Sequence, residues 1–343
     1  MSPLQWGLIA TGVLVLLAVL VQNYWLVRRN QPRLPDLPTP QTEPVVGLNE
    51  PTLDAAAFDD TGFALPVAEK KPSLDALIDT IAGIELDAPL SGEAVLAAMP
   101  PTRRVGSKPF MIEGLNAATQ RWEFPTAGQR YRQLQAGVQL ANRSGALNDI
   151  EFSEFVVKSQ TFCDAIGGTP DFPDMRQEVA RARELDQFAS DHDAQLSFVL
   201  RARRAAWSPS YIQQMAAKLG FVPSAMAGRM VVPASLVGLP PVLSLGFEPQ
   251  DALADDPTQC ALRQLSLSLD VPQVDRGERP FDRMREAALS LARDMDGLVT
   301  DDNEVALPAE AMDVIAAELE QLYAALAQHE FAAGSALARR LFS

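Results

Sequence analysis

Few side chains in this sequence have the type and spacing that chemistry needs. One run, Asp301, Asp302, Asn303 and Glu304, looks at first sight like a cation site. A calcium loop places its ligands on alternate positions around a central glycine, and this run has neither feature, so it reads as a solvated turn. The two cysteines, Cys163 and Cys260, are too few for a disulfide framework or a four-ligand zinc site. Cys163 falls on the apolar side of a helical pattern, where a thiol packs as a small hydrophobe. The two histidines, His192 and His329, lie near helix ends in charged surroundings, without the positioned partner that acid–base catalysis requires. There is no Gly-rich phosphate loop, no HExxH and no nucleophile elbow. The expectation is a protein with no catalytic residue, no metal, no cofactor and no small-molecule substrate.

Charge narrows the partners further. Lys plus Arg is 29 and Asp plus Glu is 44, a net charge of −15, whereas nucleic-acid binders carry a basic stripe. At 47% hydrophobic and 21% charged the composition is globular, and 343 residues exceed one ordinary domain. The chemistry left to look for is that of surfaces.

The first surface is a membrane segment. Trp6–Val27 holds no charge and ends in Tyr24 and Trp25, with Arg28, Arg29 and Arg33 close behind. As a helix it spans roughly 33 Å, enough for a bilayer core, with aromatics at both interfaces. Basic residues stay cytoplasmic, so residues 1–5 are expected outside and the rest of the chain in the cytoplasm. A cleaved signal peptide needs a basic start and a small-residue cleavage site, which are missing here. Residues 28–75 then read as a linker, with Pro32, Pro35, Pro38, Pro40, Pro44, Pro51, Pro66 and Pro72 among acidic residues. Proline removes backbone donors, and the apolar residues are too scattered to build a core.

From residue 76 strands and helices alternate. In the second half Gln195–Ala202 reads as a strand, and Ser208-Pro209 opens a helix that stops at Gly220. Phe221–Pro233 and Val242–Phe247 read as strands. Leu265, Leu267, Leu269 and Val271 alternate with Ser266, Ser268 and Asp270, the mark of a half-buried strand. Pro280–Asp296 reads as an amphipathic helix ended by Gly297, followed by a hairpin and a last helix from Pro308. The first half repeats this order: strand Ile78–Leu86, helix Ser91–Met99, strands Pro109–Leu115, Arg121–Phe124 and Tyr131–Asn142, and helix Phe152–Gly168. One offset places Phe152 on Phe281, Gly168 on Gly297, and Leu134, Ala136, Val138 and Leu140 on Arg263, Leu265, Leu267 and Leu269, keeping the apolar parity except at Arg263, which suggests a duplication. The first copy is expected to lack the strand after its long helix and to continue into a charged helix over Phe172–Ser190. Antiparallel strands with helices on one side make an α+β fold with one open sheet face.

An outward N-terminus, one membrane helix, a Pro-rich acidic linker, Gly220-Phe221 after a helix, and the stretch from Phe281 to Met312 together resemble the ZipA family of bacterial division proteins. The resemblance implies domains at 76–190 (a degenerate copy) and 191–330, with a tail over 331–343. It also implies that an exposed sheet face captures the C-terminal tail of FtsZ in a shallow apolar groove. Phe198, Leu200, Met226, Met230 and Phe247 are the residues expected to line it. Glu248 and Ser268, at two further groove positions, depart from the apolar pattern. The implied role is a non-enzymatic inner-membrane tether of the Z-ring at the septum. A scaffold for another divisome or envelope protein is the alternative, with a membrane-anchored hydrolase a third.

Overall fold

The computed structural model describes residues 73–247 and 261–343. The expected membrane span Trp6–Val27, the linker up to residue 72, and Glu248 lie outside the described residues. Among the described residues no helix is long and apolar enough to cross a membrane. They form an α+β structure with antiparallel sheets and divide into two compact units. Of the described residues the first unit holds 73–194, 271–277 and 316–343, and the second holds 195–247, 261–270 and 278–315. Contiguous domains at 76–190 and 191–330 are therefore corrected to an interleaved division.

In the first unit, β1 (Asp79–Ser91) is followed by α1 (Gly92–Ala98), β2 (Arg104–Val105), β3 (Lys108–Asn116), β4 (Trp122–Glu123) and β5 (Arg130–Gln139). A small hairpin of β6 (Ala141–Asn142) and β7 (Gly145–Ala146) leads into α2 (Asp149–Ile166), β8 (Gly168–Asp171) and α3 (Met175–His192). Ser91 caps α1, its side chain accepting from the Ala94 N–H. Helix α2 begins earlier than expected because Asn148 and Glu151 form a reciprocal capping box, satisfying N–H groups that have no helical partner. It ends at Gly167, whose φ of 69° is left-handed and costs a glycine little.

The sheet runs β2-β3-β5-β1-β8, with β4 also paired to β3. Strand β8 corrects the expectation that this half lacks a strand after its helix. The sequence Gly-Thr-Pro-Asp has no alternation to betray it, and a proline is tolerated because the strand sits at the sheet edge. One sheet face presents Ile84, Phe110, Ile112, Leu134, Ala136 and Val138 to α2, where Phe155 meets Phe110, Phe152 and Phe172 edge-to-face. Cys163 lies in the same core, and burial pushes its thiol up to about 11. In a Cys260→Ser chain, iodoacetamide at neutral pH should therefore leave Cys163 unlabelled until urea unfolds the unit. Labelling of the native chain at the rate of a free thiol contradicts this placement.

Residues 73–74 and 331–343 are built into this unit. Leu74 donates its N–H to Glu113 (3.0 Å), so a residue placed in the expected linker packs with this unit. Residues 331–343, expected as a tail, carry a helix, Ala336–Leu341, and Leu341 and Phe342 are fully buried. Arg340 forms an ion pair with Asp79 (2.5 Å) and also donates to the Ser73 carbonyl (3.0 Å).

The second unit runs β9 (Gln195–Ala202), α4 (Pro209–Ala217), β10 (Val222–Pro223), β11 (Arg229–Val232), β12 (Leu243–Gly246), β13 (Gln264–Asp270), α5 (Pro280–Asp294) and β14 (Gly297–Thr300), and takes in the start of α6 (Ala309–Gln328). The helix Ala336–Leu341 of the first unit is α7. The sheet order is β10-β11-β12-β13-β9-β14. The left-handed residue that ends α5 is Asp296 (φ 55°), not Gly297. Gly297 suits its place for a different reason: a Cβ there would lie 3.2 Å from the ring of Trp207, a tight contact with a side chain that is fully buried and donates its indole N–H to the Met295 carbonyl (2.8 Å).

Both units follow one plan along the chain: strand, helix, two antiparallel strands, helix, strand. In each, the first of these strands lies between the third and the last, as β3-β5-β1-β8 and β12-β13-β9-β14. This is the split βαβ arrangement.

Candidate functional site

The sheet of the second unit has two faces, and strand parity assigns each residue to one of them. Phe198 stands opposite Leu267, Leu200 opposite Leu265 on one side and Val299 on the other, and Met230 opposite Leu245. Phe198 packs its ring edge-to-face on Phe281 of α5, with centroids 6.2 Å apart. This is the face covered by helix. Phe198, Leu200 and Met230 are accordingly buried, and Phe247 nearly so.

The expected groove is corrected at these four positions. They are core residues, chosen for being apolar on a strand, and apolar strand residues mark the covered face. Met226 alone of the five is exposed, at 64%, in the turn before β11. Its sulfur accepts from Arg229 at 3.8 Å.

The opposite face is built from the alternate residues. One cross-strand row reads Thr300, Val199, Ser266, Gly246 and Arg229, and the next reads Ser197, Ser268, Ser244, Val231 and Val222. The centre is floored by Ser266, Gly246, Ser268 and Ser244, and its sides rise in Val199, Val231 and Val222. Small residues between larger ones make a shallow trough. Its serines are tied to the floor, with Ser266 Oγ donating to the Gly246 carbonyl (3.3 Å) and Ser268 Oγ to the Ser244 carbonyl (3.4 Å). Hydroxyls satisfied in this way resist an apolar ligand less than hydroxyls that must give up water. Ser268, expected at a groove position, does lie on this face.

Guanidinium groups stand at both margins. Arg229 reaches Ser244 Oγ at 3.3 Å, and Arg201 pairs with Glu304 at 2.8 Å across the exposed surface. The run Asp301–Glu304 is a turn that ties itself together: Asp301 accepts from the Asn303 and Val305 N–H groups at 2.9 and 2.7 Å. Among the described residues no cluster of His, Cys, Asp and Glu could hold a metal ion.

The open face is thus a shallow strand-lined trough with valines at its sides and cationic margins. The strands and helices beside it carry a family signature. Residues 253–318 match the family of the ZipA C-terminal FtsZ-binding domain. The match runs through β13, α5 and β14 into α6, so it covers the central strand of the trough and the helix beneath it. The ZipA-like stretch thus supplies Ser266 and Ser268, while Val199, Val231 and Arg229 come from strands before it. No curated protein matches the chain.

Sequence reasoning missed Val199 and Val231 as residues of the open face. The signal was available in β13: once Leu265, Leu267 and Leu269 mark the covered face, every residue paired with them belongs to that face, and the alternate set to the other.

Proposed function

We propose that this chain is a non-enzymatic division protein that captures the C-terminal tail of FtsZ on the open sheet face of the second unit and holds the filament at the inner membrane through residues 6–27. The observation that carries the reading is the match of residues 253–318 to the ZipA FtsZ-binding domain. The trough of serine, glycine and valine supports it as the place of capture, since an apolar tail segment could lie across the small residues while Arg201 and Arg229 meet its carboxylates. The shared strand order of the two units supports reading them as copies of one ancestral unit, with the second as the binding copy.

Burial of two or three apolar side chains at roughly 1.5–3 kcal/mol each, less the cost of ordering the tail, gives an affinity of about micromolar order. Weak single contacts multiplied along a filament hold through avidity while leaving each one free to exchange. The test uses the full chain in detergent and a synthetic FtsZ tail peptide. Arg229→Glu should weaken binding at least about fivefold, with steeper loss at low salt, because repulsion replaces attraction at an exposed site. Unchanged affinity removes this face as the site. The orientation is tested separately: a reporter active only in the periplasm, fused after Ser343, should be silent, and activity there overturns the cytoplasmic placement.

A further inference from the structure

The open sheet face of the first unit is not bare. One cross-strand row on it runs Ile81, Gly137 and Met111 over β1, β5 and β3. Its counterpart in the second unit is the row Val199, Ser266 and Gly246, part of the trough. In the first unit the chain's own Leu74 sits on that row: a Cβ at Gly137 would collide with the Leu74 side chain. The Leu74 N–H is held by Glu113 (3.0 Å), and the Ser73 carbonyl by Arg340 (3.0 Å). The stretch before β1 is thereby laid across the face from β5 to β3.

Ser73, one residue further back, lines a cleft of about 390 Å³ beside β3, between the end of α1 and strand β4. Strands β2 and β4 pair with the two ends of β3 and leave this space between them. Its walls are apolar, formed mainly by Met99, Pro100, Met111, Trp122 and Phe124. Trp122 is 38% exposed and the other four are half-buried, so the apolar wall is open to an occupant. The volume has room for about two apolar side chains.

The cleft also carries unbalanced charge. Glu113 and Glu123 line it, with Arg103 beside them over the Phe124 ring at 4.6 Å. Glu113 accepts from the Leu74 N–H and from Gln135 (2.8 Å), and Glu123 from Asn116 (2.7 Å) and the Tyr131 hydroxyl (3.1 Å). All four donors are neutral, and among the described residues neither carboxylate has a cationic partner. An occupant that suits this cleft is apolar at one end and carries more cations than anions at the other. The residues that lead into Ser73 have this composition: Leu65, Pro66 and Val67 are followed by Glu69, Lys70 and Lys71.

We infer that the first unit carries its own ligand, in which residues 65–72 continue from Ser73 into this cleft. Leu65 and Val67 pack on its apolar wall, Lys70 and Lys71 supply the cations that Glu113 and Glu123 lack, and Glu69 meets Arg103. Glu123 is half-buried and open to a direct ion pair, whereas Glu113 is buried and feels the ammonium groups at longer range. Because Ser73 already lies at the cleft, these residues are presented to it at an effective concentration of about millimolar order, and weak contacts hold them. Seated there, they close this face to outside peptides and withdraw residues 65–72 from the linker. Neither the cleft nor its occupant depends on FtsZ capture by the second unit.

The test places the photo-crosslinker p-benzoylphenylalanine at Trp122, and in a second chain at Thr102 on the other side of the cleft, in the full protein in detergent. Illumination should join either position to residues 65–68 of the same molecule, as mapped by mass spectrometry of proteolytic fragments. The double change Lys70→Glu, Lys71→Glu should lower the yield about fivefold or more, and added salt should lower it in the parent, because charge seats the segment. A linker merely tethered nearby would be labelled evenly along its length and would ignore both changes. Even labelling, labelling confined to residues 70–72, an unchanged yield in the double variant, or no product from either position overturns the proposal. Isotope-labelled and unlabelled chains are mixed before illumination. Products that join the two kinds of chain give the cleft to a second copy and overturn it as well.

Discussion

Leu200→Glu should unfold the second unit, while its neighbour Val199→Glu leaves it folded and weakens peptide capture. Leu200 is fully buried between Leu265 and Val299 on the helix-covered face. A carboxylate there either loses its water without compensation or is held protonated, and either route costs at least about 4 kcal/mol, a large part of a domain's stability. Val199 lies one residue away on the other face, half-buried between Thr300 and Ser266. A glutamate there can turn to solvent and loses about 1 kcal/mol at most in strand preference. Capture of the tail peptide should nonetheless fall by about fivefold or more, since the charge is desolvated beneath an apolar segment. Amide hydrogen exchange over β9 and β13 measures the first effect, and titration with the FtsZ tail peptide the second. If Leu200→Glu exchanges as slowly as the parent, the assignment of faces is reversed.

The second large effect lies at the Arg340–Asp79 pair. Asp79 is 1% exposed, and only 11% of the Arg340 side chain is accessible. Arg340→Ala leaves a buried carboxylate without its countercharge and should cost about 3–5 kcal/mol. Burial already pushes the Asp79 carboxyl up, and Arg340 pulls it back. Without Arg340 the folded-state value rises further above that of the unfolded chain. A carboxyl raised in this way favours the folded state when protonated, so stability is greatest below the unfolded value and is lost as pH rises through the folded one. The deficit of Arg340→Ala should therefore be full at neutral pH and shrink on acidification. Asp79→Asn in the Arg340→Ala background should recover part of the loss at neutral pH. Urea unfolding of the three chains at two pH values reads all of this, and a pH-independent deficit would falsify the account.

Local periodicity made much of the fold legible. Leu265, Leu267 and Leu269 announce β13, Ser208-Pro209 announces α4, and Phe281, Met284, Ala288 and Leu291 announce α5, because each pattern is complete within one element. The choice of sheet face was not legible from Leu200 or Phe198 alone. Parity says that neighbours differ in side, and only the pairing of Leu200 with Leu265 says which side is covered. Strand β8 was invisible because its four residues at a sheet edge need no alternating face. The joining of 271–277 and 316–343 to the first unit was invisible for another reason. A helix pattern such as that of α6 reports that one side is buried, not which part of the chain buries it. The cleft beside β3 depends on where two short strands stop, which composition does not record.

The interleaving of the units has a consequence for synthesis. The unit that holds residues 73–194 also needs residues 316–343, and Asp79 waits for Arg340, some 261 positions later. At about 5–20 residues per second, its β1 leaves the ribosome many seconds before its partner does. The second unit, encoded between them, has all its strands available first. The usual order, in which the earlier-made domain folds first, is thus inverted: the inner unit can close while the outer one is still missing its last helix. Until then the apolar residues that Leu341 and Phe342 will cover are open to chaperones and proteases. A ribosome that stalls shortly before residue 340 would release a chain with a finished inner unit and an unfinished outer one, marked for removal by its own exposed core.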